Sequence, residues 1–403
     1  MRASTHRITS IDAFRGFALA GIAIAHMVDQ YIAAQAPESL GAVMNASIPD
    51  RVIQVLVEIF VRGKFFAMFA FLFGVSFFIQ MDNAARKGID FQTRFLWRVA
   101  LLFLIGYLHS MFYRGDILTI FAMLGMLLVF FHRVPTKICL AIVAVIVFGL
   151  PRFVLFWLNG TDPILAGGDM NPELPRNVDY FDVLLNGTLL DVFAANAWHG
   201  HVMKMEFQLN VMARFYLTFA YFLLGLCVAR SGLFSAADKH KATLKRALWW
   251  AAGIMIVALV VMAFLFMHAF KDDDSPGFSS WPAMIAFTFM DIFNLSMAAV
   301  FLCGFLLVFL KPRGQKALGA LAPYGRMALT NYVLQTLIGT FILYNWGLRL
   351  LGEVSNTQTV AMAVAIIAAQ VTLSRQWLRH FRFGPLEWLW RSGTYREWQA
   401  LRR

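Results

Sequence analysis

Charged residues are scarce in this sequence. Asp, Glu, Lys and Arg make up 14% of its 403 residues, where soluble domains carry about 25%. Hydrophobic residues make up 60%, with 40 Phe and 11 Trp among them, which excludes an ordinary soluble domain. No P-loop, dinucleotide fingerprint, HExxH or GxSxG occurs. ATP-driven transport and the hydrolase chemistry of soluble enzymes therefore lose ground. Cysteine is nearly absent too: Cys139, Cys227 and Cys303 lie scattered inside apolar runs, with neither metal-site spacing nor a disulfide framework. They read as small core residues, and no metal is expected. The first apolar run keeps its charges and lacks a small-residue cleavage site. No removable signal peptide is expected, and Met1 to Tyr31 is expected to stay in the fold.

What is present is a series of apolar runs near 20 residues long, the length a bilayer core of roughly 30 Å demands of a helix. They place about ten spans, at 14–34, 56–80, 96–113, 116–131, 136–157, 211–229, 247–268, 283–309, 326–346 and 357–374. The expected fold class is all-α, a polytopic integral-membrane helical bundle forming a single transmembrane domain over 1–403. The net charge of +12 is an orientation signal within it. Segments 1–15, 81–98, 132–137, 230–246, 311–326 and 375–403 hold 25 of the 35 Lys and Arg, and the segments between them carry acids such as Asp162, Asp169, Glu173 and Asp272 to Asp274. By the positive-inside rule both termini are cytoplasmic. The lipid bilayer, rather than nucleic acid, is the partner this charge implies.

Most connections are short. The exception is 158–210, a long extracytoplasmic loop with Pro163, Pro172 and Pro175 and the stretch "AWHGHVMKMEF", too polar to span. A loop of this length is functional or disordered, and a cap or acceptor-side lid is the favoured reading. "DRVIQVLVEIFVRGKFFAMFAFLFG" (Asp50 to Gly74) exceeds one span, and its first part suits a helix at the outer interface. The cytoplasmic tail 375–403 is basic and Trp-rich. A membrane-surface anchor explains that composition, although "GPLEWLWR" is more constrained than an anchor requires.

Ionisable groups stand out against this apolar background. "RITSIDAFRGFALAGIAIAHMVDQY" (Arg7 to Tyr31) carries Asp12, Arg15, His26 and Asp29. Positions eleven apart on a helix lie about 20° from one another, so these groups form one stripe, with His26 about 16 Å beyond Arg15. Asp12 and Arg15 are spaced to neutralise each other. For His26 two readings stand, a hydrogen bond to a neighbouring helix or a general base within the membrane. "GYLHSMFYRGDIL" (Gly106 to Leu118) brings His109 near Asp116, so that the carboxylate can orient the imidazole. A buried pair without chemistry is the alternative. Asn331 and Gln335 share a face of one helix, and Asp291 and Asn294 pair similarly on another. These groups are either interhelical glue or part of a site.

Five motifs carry a resemblance: "DAFRGFALAGI", "RGKFFAMFAFLFG", "LHSMFYRGDIL", "GRMALTNYVLQT" and "FGPLEWLWRS". Together they resemble the YeiB-type membrane proteins (domain of unknown function 418), nearly end to end. That family is similar in turn to the transmembrane acyltransferases, including the lysosomal heparan-glucosaminide acetyltransferase and enzymes that decorate bacterial surface polysaccharides. The resemblance implies a multi-pass acyltransferase of the bacterial inner membrane. It would move an acyl group, expected to be acetyl, from cytoplasmic acyl-CoA to an extracytoplasmic acceptor such as a sugar. Acyl-CoA is a co-substrate, with no tightly bound cofactor.

His26, His109 and Asp116 are the catalytic candidates. Arg15 and His26 reproduce the Arg-to-His spacing of the polysaccharide-type enzymes, whereas nearer relatives more often carry Asn at the position of His26. His109 and Asp116 match the family motif better. Arg15, Arg94 and Arg98 are assigned to the CoA phosphates, which Arg holds well, and Asp12, the partner of Arg15, to the same donor-binding set. Arg94 and Arg98 read equally as topology determinants. Glu387 and Arg391 are assigned to the cytoplasmic mouth from the resemblance, and Lys64, Asp291, Asn331 and Gln335 to the substrate. The competing class is a small-molecule permease using the same His, Asp and Arg groups. A homodimer is compatible with either.

Overall fold

A computed structural model describes residues 2–33, 37–169, 174–234, 236–270 and 277–403, with side chains described from residue 9 onward. Pro172, Glu173 and Asp272 to Asp274 lie outside the described residues. Among the described residues the secondary structure is helical, apart from an isolated antiparallel bridge between Phe381 and Arg402.

Four helices are long and apolar enough to cross a membrane: Thr9–Val28, Lys241–Ala269, Trp281–Phe309 and Asn356–His380. Two bent pairs bring the number to six. Thr136–Val147 and Leu150–Asn159 meet at 45°, and Leu189–Leu209 and Arg214–Arg230 at 64°. The first bend falls at Gly149, whose φ of +85° suits a residue without a Cβ. Lys241–Ala269 exposes Trp249, Trp250, Val257, Val260 and Phe264. An apolar face of this kind belongs in lipid, and the protein is a membrane protein.

The centre of the bundle is built from Lys64–Ala85, Arg214–Arg230, Leu118–Leu128 and the first helix, whose Phe14, Leu19, Phe71, Phe77, Phe121 and Phe222 pack in one core. Two glycine pairs explain how closely these elements approach. A Cβ on Gly74 would strike the carbonyl of Phe222, and one on Gly225 the carbonyl of Phe71. Gly325, in the short helix Ala322–Arg326, meets Asp12 and Gly16 of the first helix in the same way. Small residues admit this backbone contact, which between helices in lipid stands in for the absent hydrophobic drive.

The long polar segment is not an irregular loop. Its described residues form Pro175–Asn186, Leu189–Ala195, a π-helical turn at Asn196–Gly200, and His201–Leu209. Lys204 and Glu206 are buried despite their charge. Glu206 is satisfied there by the backbone N–H groups of Ile164 and Leu165 and by Asn210. The Asp50–Gly74 stretch divides at Gly63, where φ is +84°, into Ile48–Phe60 and Lys64–Ala85. "GPLEWLWR" opens a tail helix, Pro385–Tyr395, which packs on Gln92–Ser110.

Candidate functional site

His109 ends the helix Gln92–Ser110, and Asp116 closes the tight turn that precedes Leu118–Leu128. The turn brings His109 Nδ1 to 2.8 Å from Asp116 Oδ1, with both side chains fully buried. Asp116 also accepts from the backbone N–H of Leu118 at 3.1 Å and of Thr119 at 2.9 Å, and from Thr119 Oγ1 at 2.8 Å. Lys204 Nζ stands 4.0 Å from the second carboxylate oxygen and 3.0 Å from Thr119 Oγ1. With so many donors facing it, Asp116 is held as an acceptor. His109 therefore presents its Nδ1 proton to Asp116, and in the neutral imidazole Nε2 is then the acceptor. Nε2 is buried and has no hydrogen-bond partner.

Tyr332 links the two histidines. Its ring centroid lies 5.0 Å from that of His109 and 6.2 Å from that of His26. His26 is otherwise enclosed by Tyr113 at 5.1 Å and Tyr31 at 5.4 Å, and its Nδ1 has no partner. The Tyr332 hydroxyl accepts from the backbone N–H of Ile117 at 3.4 Å.

Tyr332 also lines a cavity of about 300 Å³. It runs beside Lys64–Ala85 from Phe69 to Gln80, about 16 Å of helix. Tyr332, Leu118, Phe121 and Leu102 wall one end; Tyr332 packs on His109 and the backbone N–H of Leu118 donates to Asp116, while His26, His109 and Asp116 themselves do not line the cavity. Arg15, Arg98, Arg326 and Arg391 line the other end, together with Glu387 and Trp390. Arg15 is fixed by Asp12 at 2.9 Å and Ser76 Oγ at 3.1 Å. The Arg98 guanidinium lies 3.6 Å over the Trp390 ring, and Arg391 5.0 Å over Phe383. Glu387 accepts from the backbone N–H groups of Leu329 (2.7 Å) and Thr330 (3.0 Å) and from Thr330 Oγ1 (2.6 Å). It thereby caps the start of Ala328–Leu343 with the tail helix. Burial raises the Glu387 carboxyl above the usual carboxylate range, and those hydrogen bonds oppose it.

The residues singled out from sequence thus fall into three groups. Arg15, Arg98, Glu387 and Arg391 line the cavity, with Asp12 behind Arg15. His26, His109 and Asp116 gather behind Tyr332. The remainder lie elsewhere. Arg94 is 5.2 Å over Tyr395, outside the cavity lining. Lys64 donates to the Glu58 carbonyl at 2.7 Å and sits over Phe293. Asp291 forms a buried ion pair with Arg152, which also donates to Thr288 and to the carbonyls of Val211 and Met212. Asn331 joins Tyr324, Ser374 and Gln370, and Gln335 joins Tyr324, in a network between Ala328–Leu343 and Asn356–His380.

Sequence reasoning missed Tyr332, Tyr113, Thr119, Arg326 and Lys204. Tyr332, Tyr113 and Arg326 lie inside the motifs quoted above and Thr119 one residue beyond one of them, where no ionisable intramembrane charge draws attention to the Tyr and Thr. Lys204 lies in the stretch "AWHGHVMKMEF", whose polarity was the signal that could have found it.

The chain matches two family models in succession. Residues 7–226 match the model of heparan-alpha-glucosaminide N-acetyltransferase, catalytic, and residues 228–397 that of the protein of unknown function DUF418. It is 29% identical over 99% of its length to the uncharacterised protein YxaH of Bacillus subtilis (strain 168), covering 96% of that protein. An uncharacterised 39.9 kDa protein from the amylase 3' region of Bacillus acidopullulyticus is 27% identical over 96% of this chain and 94% of its own. A stretch of 77 residues is 47% identical to YeiB of Escherichia coli (strain K12), covering 19% of this chain and 20% of that one. The chain belongs to the YeiB-like family and, through its first half, to the membrane acetyltransferase-like family of the heparan-alpha-glucosaminide N-acetyltransferase catalytic model.

Proposed function

From that membership we propose that the protein transfers an acyl group, most simply acetyl, from cytoplasmic acyl-CoA to a hydroxyl or amine on the far side of the inner membrane. The observation that carries the reading is the unpartnered Nε2 of His109, its Nδ1 pinned by Asp116, on a ring packed against Tyr332 of an arginine-lined cavity. Arg15, Arg98, Arg326 and Arg391 suit the phosphates of CoA, since guanidinium forks match phosphate oxygens. The thioester would then reach past Tyr332 toward the histidines.

In the reaction, His109 Nε2 takes the proton of the acceptor O–H or N–H as that atom attacks the thioester carbonyl. The new C–O or C–N bond forms, the C–S bond breaks, and the proton passes from the imidazolium to the CoA thiolate. Asp116 stabilises the imidazolium in between. His26, which also packs on Tyr332, would orient the acceptor. The six spans would be joined in the membrane by Lys64–Ala85, Gln92–Ser110 and the apolar helices Leu118–Phe131 and Ala328–Leu343, giving ten crossings with both termini cytoplasmic.

The test uses purified protein in nanodiscs with radiolabelled acetyl-CoA, following binding, thiol release and label on the protein. Binding and CoA release, lost in His109→Ala, support the reading. Absence of binding by folded protein across several acyl-CoA chain lengths would sink it and favour a permease.

A further inference from the structure

Among the described residues, the basic groups of Arg114, Arg176 and His199 have no carboxylate counter-ion within 4.0 Å. Arg114 follows Tyr113, whose ring packs against His26, and its side chain is almost wholly buried. Its Nε donates to the Ile32 carbonyl at 3.0 Å, but its Nη2 has no partner. The guanidinium lies 4.1 Å over the ring of Tyr180. A second group packs on that ring, and a third shares the helix face of Tyr180. His199, on the π-helical turn, has its ring centroid 5.8 Å from that of Tyr180, and its Nε2 is buried without a partner. Arg176 precedes Tyr180 by one turn of Pro175–Asn186, the spacing that puts side chains on one helix face. Its Nε is also unpartnered, and both guanidinium groups lie within electrostatic reach of His199.

Buried arginine without a paired anion is costly, and an unmade hydrogen bond of a charged group adds to the cost. Nearby polar side chains do not relieve it: the Tyr180 hydroxyl donates to Asn196, and Asn196 donates to the Met111 carbonyl. A π-helical turn at such a place is a frequent mark of a functional site.

We propose that Arg114, Arg176 and His199 form an oxyanion-binding subsite next to His26, holding a carboxylate, phosphate or sulfate carried by the acceptor. This rests on the acyl-transfer reading for the word acceptor alone, because the subsite binds without the donor. Acidic sugars and lipid headgroups both supply the chemistry. Arg114 grips the anion from below and Arg176 from the lid, so the neighbouring hydroxyl or amine of the same molecule is delivered toward the histidines.

The test uses the full chain in phosphatidylcholine nanodiscs, without acyl-CoA, titrated with inorganic phosphate, glucuronate and neutral glucose by calorimetry. Wild type is expected to bind phosphate or glucuronate and not glucose, with affinity reduced about tenfold or more in Arg114→Gln and in Arg176→Gln. Arg176 is half-buried at the lid, so its variant keeps the test decisive if Arg114→Gln fails to fold. Competition by phosphatidylglycerol in the disc identifies a headgroup as the source, and its absence a soluble acid. Equal affinity in wild type and Arg176→Gln, or no anion binding by the wild type, overturns the subsite. Anion binding without acyl transfer would leave the subsite standing and remove the enzyme reading.

Discussion

His109 and Asp116 face each other at 2.8 Å across a turn of seven residues, and neither is exposed to solvent. The pair is pre-set: Asp116 is held by two backbone N–H groups and a hydroxyl, so the imidazole is oriented before any ligand arrives. Replacing Asp116 by Asn keeps the shape and removes the charge that stabilises an imidazolium. The turnover number of Asp116→Asn should fall about 10²–10⁴-fold, the usual worth of general base catalysis. Binding of acetyl-CoA, measured by calorimetry in nanodiscs, should stay within about threefold of wild type. A variant that loses donor binding and keeps its turnover number would reverse the assignment.

Glu387 ties the tail helix to the start of Ala328–Leu343. Glu387→Ala strands two backbone donors and should cost about 1–3 kcal/mol of stability. The pH dependence has the opposite sign to that of an ion-paired acid. Burial raises the carboxyl in the folded state, so the folded protein holds this proton more tightly than the unfolded chain. The contribution is full below the ordinary glutamate value of 4.5 and declines as pH rises through the raised value. Thermal unfolding of wild type and Glu387→Gln, compared between about pH 4 and 8, should show that decline in the wild type alone.

Arg152 and Asp291 form an ion pair buried among Phe287, Thr288 and two backbone carbonyls. Removing one partner of such a pair costs about 3–5 kcal/mol. Arg152→Met should cost more than Asp291→Asn, since it leaves a charge and the carbonyls of Val211 and Met212 unmatched. Neither residue lines the cavity, so activity per folded molecule should be unchanged. Melting temperature and specific activity, read on the same preparation, separate the two.

At the Gly74–Phe222 and Gly225–Phe71 contacts the helix backbones meet. Gly74→Leu should push Lys64–Ala85 and Arg214–Arg230 apart at a cost of about 1–3 kcal/mol or more. Size-exclusion profiles of the fluorescent-tagged variant should show a lower folded yield. A monodisperse wild-type profile would mean that the helices can separate freely.

Short-range features were legible in the sequence and long-range ones were not. Asp12–Arg15 and His109–Asp116 are three and seven residues apart, so helix geometry and a turn bring each pair together. The partner of Asp291 lies 139 residues away, and Lys204 reaches Asp116 and Thr119 from 85 residues beyond the latter. No periodicity encodes such pairings. The segment 158–210 read as a loop because its charges look solvated. Glu206 and Lys204 are instead satisfied inside, by backbone N–H groups and by Thr119. Tyr332 carries no unusual residue type for a membrane helix, and only the packing of both histidines on its ring singles it out.

The cavity draws its walls from Arg15 of the first helix and Arg391 of the tail helix, 376 positions apart. During synthesis the first helix must therefore wait, with Arg15 and Asp12 facing an unfinished neighbour, until the tail helix has left the ribosome. A chain stopped before Pro385 lacks the Glu387 cap, Trp390 and Arg391 together. Completion of the arginine-lined end therefore waits on the tail helix.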